Sequence, residues 1–286
     1  MCVTLIFSLT CCSSSPIESP STGSDITTEE KIEKIIVHYI DVGQGDCIFI
    51  ELPNQKSLLI DAGNSQNYID IISYIKDLGY FFIDYVVATH PHADHIGSMN
   101  KILRNFIVNE FYLPEYIPNT KTFATMFNTI KQQEIMVRWS QAGTTIIENE
   151  DLSIKILSPI KNNYSNINNY SLIIKIDYGD SEFLFTGDAE ALVEQELLDY
   201  NIDIDSDVLK VGHHGSNSSS SEAFIEEVSP NIAVISCGNN NKYNHPHIET
   251  INTLTEQNVE IYRTDELGTI IIEADEKENF VVVADY

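Results

Sequence analysis

The sequence predicts one mixed α/β (α+β) domain, in which two mostly antiparallel sheets pack face to face with helices on the outside. Short apolar strand patterns come in two blocks along the chain, and segments with helical spacing of apolar residues follow each block. Apolar residues make up 43% of the 286 residues, which is ordinary for a globular protein with a substantial core.

The first block predicts strands joined by short connections. Val42-Gly43-Gln44-Gly45 separates the first two strands and suits a tight turn, because glycine tolerates positive φ. Apolar residues between Ile69 and Leu78 recur at helical spacing, and Gly79 follows as a suitable helix end. The predicted strands of this block are 34–41, 46–52, 57–61 and 85–88, and the helices are 69–78, a segment ending near 104, and 121–133.

The second block repeats this organisation with shorter strands. Its first four strand patterns are consecutive, and strands and helices alternate after them. The predicted strands are 144–147, 153–157, 172–177, 182–185, 208–211, 232–236 and segments near 261, 270 and 281; the helices are 189–200, 222–228 and 248–257.

The chain is strongly acidic, since 16 Lys and Arg face 43 Asp and Glu for a net charge of −27. Such a charge attracts divalent cations and repels polyanions. The sequence contains no basic run, so we expect no strong binding to duplex nucleic acid. An acidic solvated surface without functional meaning is the alternative interpretation.

The first thirty residues have the pattern of an export signal and a tether. An apolar run over Val3 to Leu9 is too short to span a bilayer, and Cys11 and Cys12 follow it. The pattern is similar to a bacterial lipoprotein signal, with residues 1–12 as the signal, Cys12 lipidated, a flexible tether at 13–30 and the folded domain at 31–286. We expect an extracytoplasmic, lipid-anchored protein. A plain secretory signal is the alternative, because no Lys or Arg precedes the run.

A cluster of metal-binding side chains directly follows the predicted strand at 85–88. His90 and His92 are two residues apart, so in extended chain they point the same way and can bind one ion. Asp94 and His95 come next, where a helix is predicted to begin, and face a neighbouring position. Imidazole with carboxylate is the ligand set of zinc and manganese hydrolases and not of calcium sites.

Three further segments place such residues at strand ends. Asp188 follows a buried strand, where it either bridges two cations or caps the next helix. His213 and His214 are consecutive and point in opposite directions, so we expect one to bind metal and the other to face substrate or a supporting residue. His245 and His247 form a fourth cluster, on a loop where histidines are usually solvated.

These segments together resemble the metallo-β-lactamase superfamily over about residues 35–272. The segment His90 to His95 is similar to its His-x-His-x-Asp-His signature. Asp188 resembles its bridging aspartate, one of His213 and His214 its late histidine, and Asp61 its structural aspartate at an early strand end. The resemblance implies a four-layer αββα sandwich and two divalent ions, Zn or Mn.

The resemblance is closer still to the hydrolase domain of the ComEC competence channel for DNA uptake, as a stand-alone version without membrane helices. Asn168, Asn169 and Ser171 stand where the superfamily often has another histidine ligand, as in that branch. This implies one metal position with fewer protein ligands. The segments that carry the resemblance are 41–46, 168–172, 185–190, 210–216 and 262–265.

The resemblance implies that His90 and His92 hold one ion, that Asp94, His95 and His214 hold the second, and that Asp188 spans both. We expect Asp94 and His213 to act in catalysis. The residues expected to contact substrate or support the ligands are Asp61, Asn169, Lys210, His245 and His247.

The expected function is an exported hydrolase, phosphodiesterase or nuclease-like, that uses a hydroxide activated by two metals. Its substrate would be a small-molecule or nucleic-acid phosphodiester. One alternative is hydrolysis of a lactam, lactone or other ester at the same site. Another is a non-catalytic surface binding protein or DNA-uptake accessory.

Overall fold

The computed structural model describes residues 34–53 and 55–284, and its strands lie in two sheets. In chain order the strands are β1 (Ile35–Tyr39), β2 (Ile48–Glu51), β3 (Ser57–Ile60), β4 (Phe82–Val87), β5 (Ile107–Pro114), β6 (Met136–Ser140), β7 (Thr144–Glu148), β8 (Leu152–Ile156), β9 (Ile174–Tyr178), β10 (Ser181–Phe185), β11 (Val208–Lys210), β12 (Ile232–Ile235), β13 (Glu260–Arg263), β14 (Ile270–Ala274) and β15 (Phe280–Ala284). The helices are α1 (Tyr68–Asp77), α2 (Ala93–Ile96), α3 (Met99–Asn105), α4 (Lys121–Gln132), α5 (Ala191–Asp199), α6 (Glu222–Val228), α7 (Ile248–Glu256) and α8 (Thr264–Leu267).

Both sheets are mixed, whereas the sequence predicted mostly antiparallel strands. The first sheet has the order β15-β14-β1-β2-β3-β4-β5-β6, and the second has the order β13-β12-β11-β10-β9-β8-β7. Strands β3 to β6 pair in parallel, as do β10 to β13, because a helix separates each pair along the chain. A parallel pair needs such a crossover, whereas a tight turn suffices for an antiparallel one.

The apolar residues divide into three layers, as the predicted αββα sandwich requires. Alternation along β10 shows the division: Phe183 and Phe185 lie in the core between the sheets, while Leu184 packs into the core beneath the outer helices. A third core, which includes Ile71 of α1 and Met126 of α4, fills the space between the first sheet and its helices. The predicted fold class is therefore confirmed, with the sheets mixed.

Two strands and one connection depart from the sequence predictions. Strands β5 and β6 were not predicted; β5 interrupts its apolar residues with Asn109 and Glu110, and three of the five residues of β6 are exposed. The connection between β1 and β2 is also longer than a tight turn, since it covers residues 40–47. This connection reaches the ligand cluster described below, where Asp46 N donates to Asp94 O at 3.2 Å.

The predicted signal and tether, residues 1–30, lie outside the described residues, as does the start of the predicted domain at 31. These boundaries stay predictions. Within the described ranges, no helix combines the length and the apolar character needed to cross a membrane.

We predict that Phe183→Ala lowers the free energy of unfolding by about 3–5 kcal/mol, because the side chain is fully buried between the sheets and its removal leaves a cavity. The matched control is Phe81→Ala, whose side chain is 65% exposed and should change stability by about 0.5 kcal/mol or less. Urea denaturation of both variants checks this. Equal losses would contradict the assignment of Phe183 to the central core.

Candidate metal centre

The ends of four strands that pair in parallel, β3, β4, β10 and β11, bring the predicted ligands together. Asp61 follows β3, the segment His90 to His95 follows β4, and Asp188 follows β10. His213 and His214 follow β11. The carboxyl ends of parallel strands meet at one edge of a sheet, so chain segments distant in sequence converge there.

The carboxylate of Asp188 lies at the centre of the cluster. Its Oδ1 is 3.2 Å from His95 Nε2 and 3.4 Å from His214 Nε2. His214 Nε2 is also 3.7 Å from Asp94 Oδ2. Asp94, His95 and His214 therefore surround one position beside Oδ1; we call this position the second centre.

The other oxygen of Asp188 faces a different set of imidazoles. His90 Nε2 lies 3.6 Å from Oδ2, and His213 Nε2 lies 3.7 Å from the same atom. His92 Nδ1 is 3.0 Å from His90 Nε2. These three imidazoles and Oδ2 define what we call the first centre.

The structure therefore brings His213 and His214 into the same cluster. The sequence predicted that one of them would bind metal and the other face substrate or a supporting residue. Both residues have left-handed backbones, with φ of 48° and 56°. Such strain is costly for residues other than glycine and is concentrated at functional sites. The left-handed conformation lets two consecutive side chains face the same carboxylate, whereas in an extended chain they would point in opposite directions.

Four imidazoles are held at Nδ1 and direct Nε2 toward Asp188. His95 Nδ1 lies 2.8 Å from Asp61 Oδ2, and His214 Nδ1 lies 3.0 Å from Ser236 O. The Nδ1 atoms of the other two face hydroxyl groups: His90 that of Thr89 at 3.2 Å, and His213 that of Ser218 at 3.0 Å. A hydrogen bond at one ring nitrogen that leaves the other free is the usual arrangement of metal-bound histidine.

Three buried atoms at the second centre indicate whether the residues there fit a cation. Among the described residues, His95 Nε2, His214 Nε2 and Asp188 Oδ1 are buried without a hydrogen-bond partner. Buried polar atoms rarely stay unpaired, and a carboxylate facing two imidazoles is the donor set that zinc or manganese binds. The residues present therefore fit a divalent ion.

The charges of the cluster are mutually dependent. Burial favours the neutral form of Asp188, but the imidazoles of His95, His214 and His90 outweigh it and hold the pKa of this carboxyl well below its usual range. Burial also lowers the pKa of His95, yet Asp188 and Asp61 overcome this and raise it well above its usual range. Burial lowers the pKa of His90 and His213 below the usual range. The pocket thus favours an ionised Asp188.

The supporting residues differ in part from those predicted. Asp61 accepts from His95 and also from the backbone N and Oγ1 of Thr89. Asn169 does not line the cavity; its Oδ1 accepts from the backbone of Glu190, and the neighbouring Asn168 lines the cavity instead. The ammonium of Lys210 is buried and 3.0 Å from Asp46, so it faces away from the cavity.

The two loop histidines have different surroundings. His245 lines the cavity, where burial and then His214 and His213 lower its pKa to about 4. Both ring nitrogens of His247 contact backbone, the N–H of Asn217 at 3.0 Å and the carbonyl of Tyr243 at 3.2 Å. His247 therefore holds the loop that carries His245.

Two residues near the cluster were missed as site residues. Asp46 lies 3.4 Å from His214 Nδ1, and Asn168 Nδ2 lies 3.5 Å from His213 Nε2. Both lie in segments that carry the closer family resemblance, 41–46 and 168–172. That resemblance is the sequence feature that could have identified them as site residues. The sequence could not identify the backbone carbonyl of Ser236, because every residue type has a backbone carbonyl.

A cavity of about 300 Å³ opens over the cluster, and a second of about 450 Å³ adjoins it. They share Gln44, Asp94 and Tyr243, and Lys242 contributes a positive charge to the second. The residues that line the first are Gln44, His92, Ala93, Asp94, Asn168, Asp188, His213, His214, Tyr243 and His245.

Comparisons with known proteins agree with this geometry. Residues 40–239 match the family model of the metallo-beta-lactamase superfamily. The chain is 31% identical to ComE operon protein 3 of Bacillus subtilis (strain 168) over 251 residues, which cover 82% of this chain and 32% of that protein. It is 32% identical to Recombination protein 2 of Haemophilus influenzae (strain ATCC 51907 / DSM 11121 / KW20 / Rd) over 226 residues, 76% of this chain and 26% of that protein. The chain thus spans a third or less of the length of these relatives.

The fold is also that of a solved structure, the metallo-beta-lactamase fold protein YhfI from Bacillus subtilis. The TM-score is 0.57 at 12% identity, with 84% of this chain and 100% of that chain covered. At this identity the likeness concerns the fold alone.

We predict that Asp61→Asn weakens Zn²⁺ binding by roughly 10- to 100-fold, because the amide no longer supplies the carboxylate that orients His95. Asp70→Asn, an exposed change of the same kind in α1, is the matched control and should leave binding unchanged. Competition titration of the metal-free protein against a chelating dye measures both. Parent-like affinity in Asp61→Asn would exclude the orienting role.

Proposed function

The chain belongs to the metallo-beta-lactamase superfamily, as a ComEC-like hydrolase domain, and from this we propose that it hydrolyses phosphodiesters with the help of two divalent ions, Zn or Mn. The observation that carries the proposal is the convergence of four imidazole Nε2 atoms on the two oxygens of one carboxylate, Asp188. Two-metal hydrolases use such a bridging arrangement.

The ligands divide between the two oxygens. We assign His90, His92 and His213 to the first ion, and Asp94, His95 and His214 to the second. His213 then takes the place of the histidine that the sequence lacks between residues 157 and 172, so neither position is short of protein ligands. This changes the expected role of His213 from catalysis to metal binding.

When bound, the two ions would supply a hydroxide at neutral pH and would neutralise the oxygens of the reacting group. Asp94 keeps the catalytic role predicted for it. Its side chain is 25% exposed against 3% for Asp188, so it is the carboxylate that incoming water reaches. It is placed to accept a proton from that water. His245 also lines the cavity and is placed to contact the leaving group.

Three features support a phosphodiester over a lactam or another ester. Lys242 at the adjoining cavity attracts an anion, and the amide nitrogen of Gln44, which has no hydrogen-bond partner among the described residues, can donate to a phosphate oxygen. The name of one relative, Recombination protein 2, points to nucleic acid. The charge of −27 favours a small or single-stranded substrate over a duplex. A lactam, lactone or ester hydrolase and a non-catalytic binding protein remain the competing functions, and the next experiment separates them.

We predict that the protein with Mn²⁺ or Zn²⁺ hydrolyses bis-p-nitrophenyl phosphate and not a chromogenic lactam. Both His92→Ala and Asp188→Asn should lower this turnover by roughly 100-fold or more, since each removes a metal ligand. His38→Ala is the control, because His38 contacts Glu51 and Tyr74 away from the cluster. Turnover of the lactam alone would favour an acyl hydrolase. Metal binding without turnover of either substrate would favour a binding protein.

We also propose that the protein is exported and tethered to a bacterial membrane through Cys12, on the basis of residues 1–30 alone. Expressed from this sequence in a bacterium, the parent should sediment with membranes, and Cys12→Ser should move it to the soluble fraction. Cys11→Ser, a change of the same size at the adjacent residue, should leave it on the membrane. A Cys12→Ser protein that still sediments would rule out the lipid anchor.

A further inference from the structure

We propose that Asp46 is a positioning residue for the second centre: its buried carboxylate, charge-balanced by Lys210, acts on the imidazoles of His95 and His214 from the Nδ1 side and so sets the affinity of this centre for its metal. This inference rests on the proposed function, because it concerns how that site holds its second ion. It gives a role to the loop 41–46, which the sequence singled out and the ligand set does not use.

The carboxylate of Asp46 lies behind both imidazoles of the second centre. Its Oδ1 is 3.4 Å from His214 Nδ1, and its Oδ2 is 4.0 Å from His95 Nδ1. The Nε2 atoms of these rings point the other way, toward Asp188. Since His95 Nδ1 already donates to Asp61 and His214 Nδ1 to the carbonyl of Ser236, Asp46 acts on both rings through its negative charge and does not bind the ion with them.

Lys210 balances the charge of this carboxylate. Its Nζ lies 3.0 Å from Asp46 Oδ1 and donates to the carbonyl of Val211 at 3.0 Å. Lys210 is fully buried and Asp46 is 1% exposed. A buried ion pair contributes little net stability, since the cost of removing both charges from water offsets their attraction. Stability of the fold therefore does not account for the pair, whereas positioning of the two rings does.

The backbone of the loop contacts the third ligand of the second centre. Asp46 N donates to Asp94 O at 3.2 Å. A Cβ on Gly45 would lie 2.3 Å from the same oxygen, so only glycine allows this approach. Asp46 O in turn accepts from Gly63 N at 2.8 Å. The loop thus touches Asp94, His95 and His214 together.

The two members of the pair have opposite expected effects on metal binding. The negative charge of Asp46 behind the rings makes their Nε2 atoms better ligands. The positive charge of Lys210 offsets part of this benefit. Loss of Asp46 should therefore weaken the second ion, whereas loss of Lys210 should not weaken it. A pair that served only to hold the fold together would give the same loss for either change.

The test titrates metal-free parent, Asp46→Asn, Lys210→Met and the double variant with Zn²⁺ against a chelating dye. Thermal melting of each metal-free protein reports folding, and the absorption spectrum of Co²⁺ reports ligand geometry. Asp46→Asn and the double variant should bind the second equivalent roughly 10- to 100-fold more weakly, with the first changed by about threefold or less. Lys210→Met should bind the second equivalent at least as tightly as the parent.

Lys175→Met is the matched control. Lys175 is also a buried lysine in an ion pair, with Asp203 at 2.9 Å, but outside the cluster. It should leave both equivalents unchanged. Asp46→Asn alone leaves a buried ammonium without its partner, and this variant can unfold for that reason. The double variant removes both charges, so it still tests metal binding in that case.

Three results would overturn the inference. Equal weakening by Asp46→Asn and Lys210→Met would assign the pair a structural role only, as would a double variant with parent affinity for both equivalents. These two results leave the proposed function intact. A parent protein that binds fewer than two equivalents would overturn the dinuclear site itself, and the proposed function with it.

Discussion

The contact of one carboxylate with imidazoles from both sheets is the interaction on which the site depends. Asp188 follows a strand of the second sheet, and it lies 3.6 Å from His90 and 3.2 Å from His95, which follow a strand of the first. His213 and His214 reach the same carboxylate from the next strand of the second sheet. The face-to-face packing of the two sheets is therefore what completes the ligand set around Asp188, because its members come from both sheets.

This convergence destabilises the folded state locally, and other parts of the protein offset the loss. Burial opposes the charge of Asp188, and consecutive left-handed residues at 213 and 214 strain the backbone. Gly187 has a φ of 53°, and a Cβ there would lie 3.0 Å from that of Thr89. Close approach of the two strand ends therefore depends on this glycine. Large apolar cores on both faces of each sheet supply the stability that offsets these costs.

Hydrogen bonds behind the ligands prepare the site for metal before any ion arrives. Nδ1 of four histidines faces Asp61, Ser236, or the hydroxyls of Thr89 and Ser218, so the same nitrogen of each ring, Nε2, is directed toward Asp188. The ligand geometry is thus fixed by groups that do not touch the ion. The cavity above the cluster is lined in part by residues outside this ligand set, among them Gln44, Asn168 and Tyr243.

The sequence by itself determined the fold class, most elements and the ligand candidates, because apolar periodicity and short ligand spacing are local properties. His90, His92, Asp94 and His95 occupy one short segment, so their proximity needed no tertiary information. Only the tertiary structure decided how His213 and His214 share Asp188, that Lys210 faces away from the cavity and that Asn168 lines it. Those outcomes depend on backbone torsions and on contacts between segments far apart in the chain. The parallel pairs within the two sheets were also decided at that level, since strand direction follows from the path of the connecting helices.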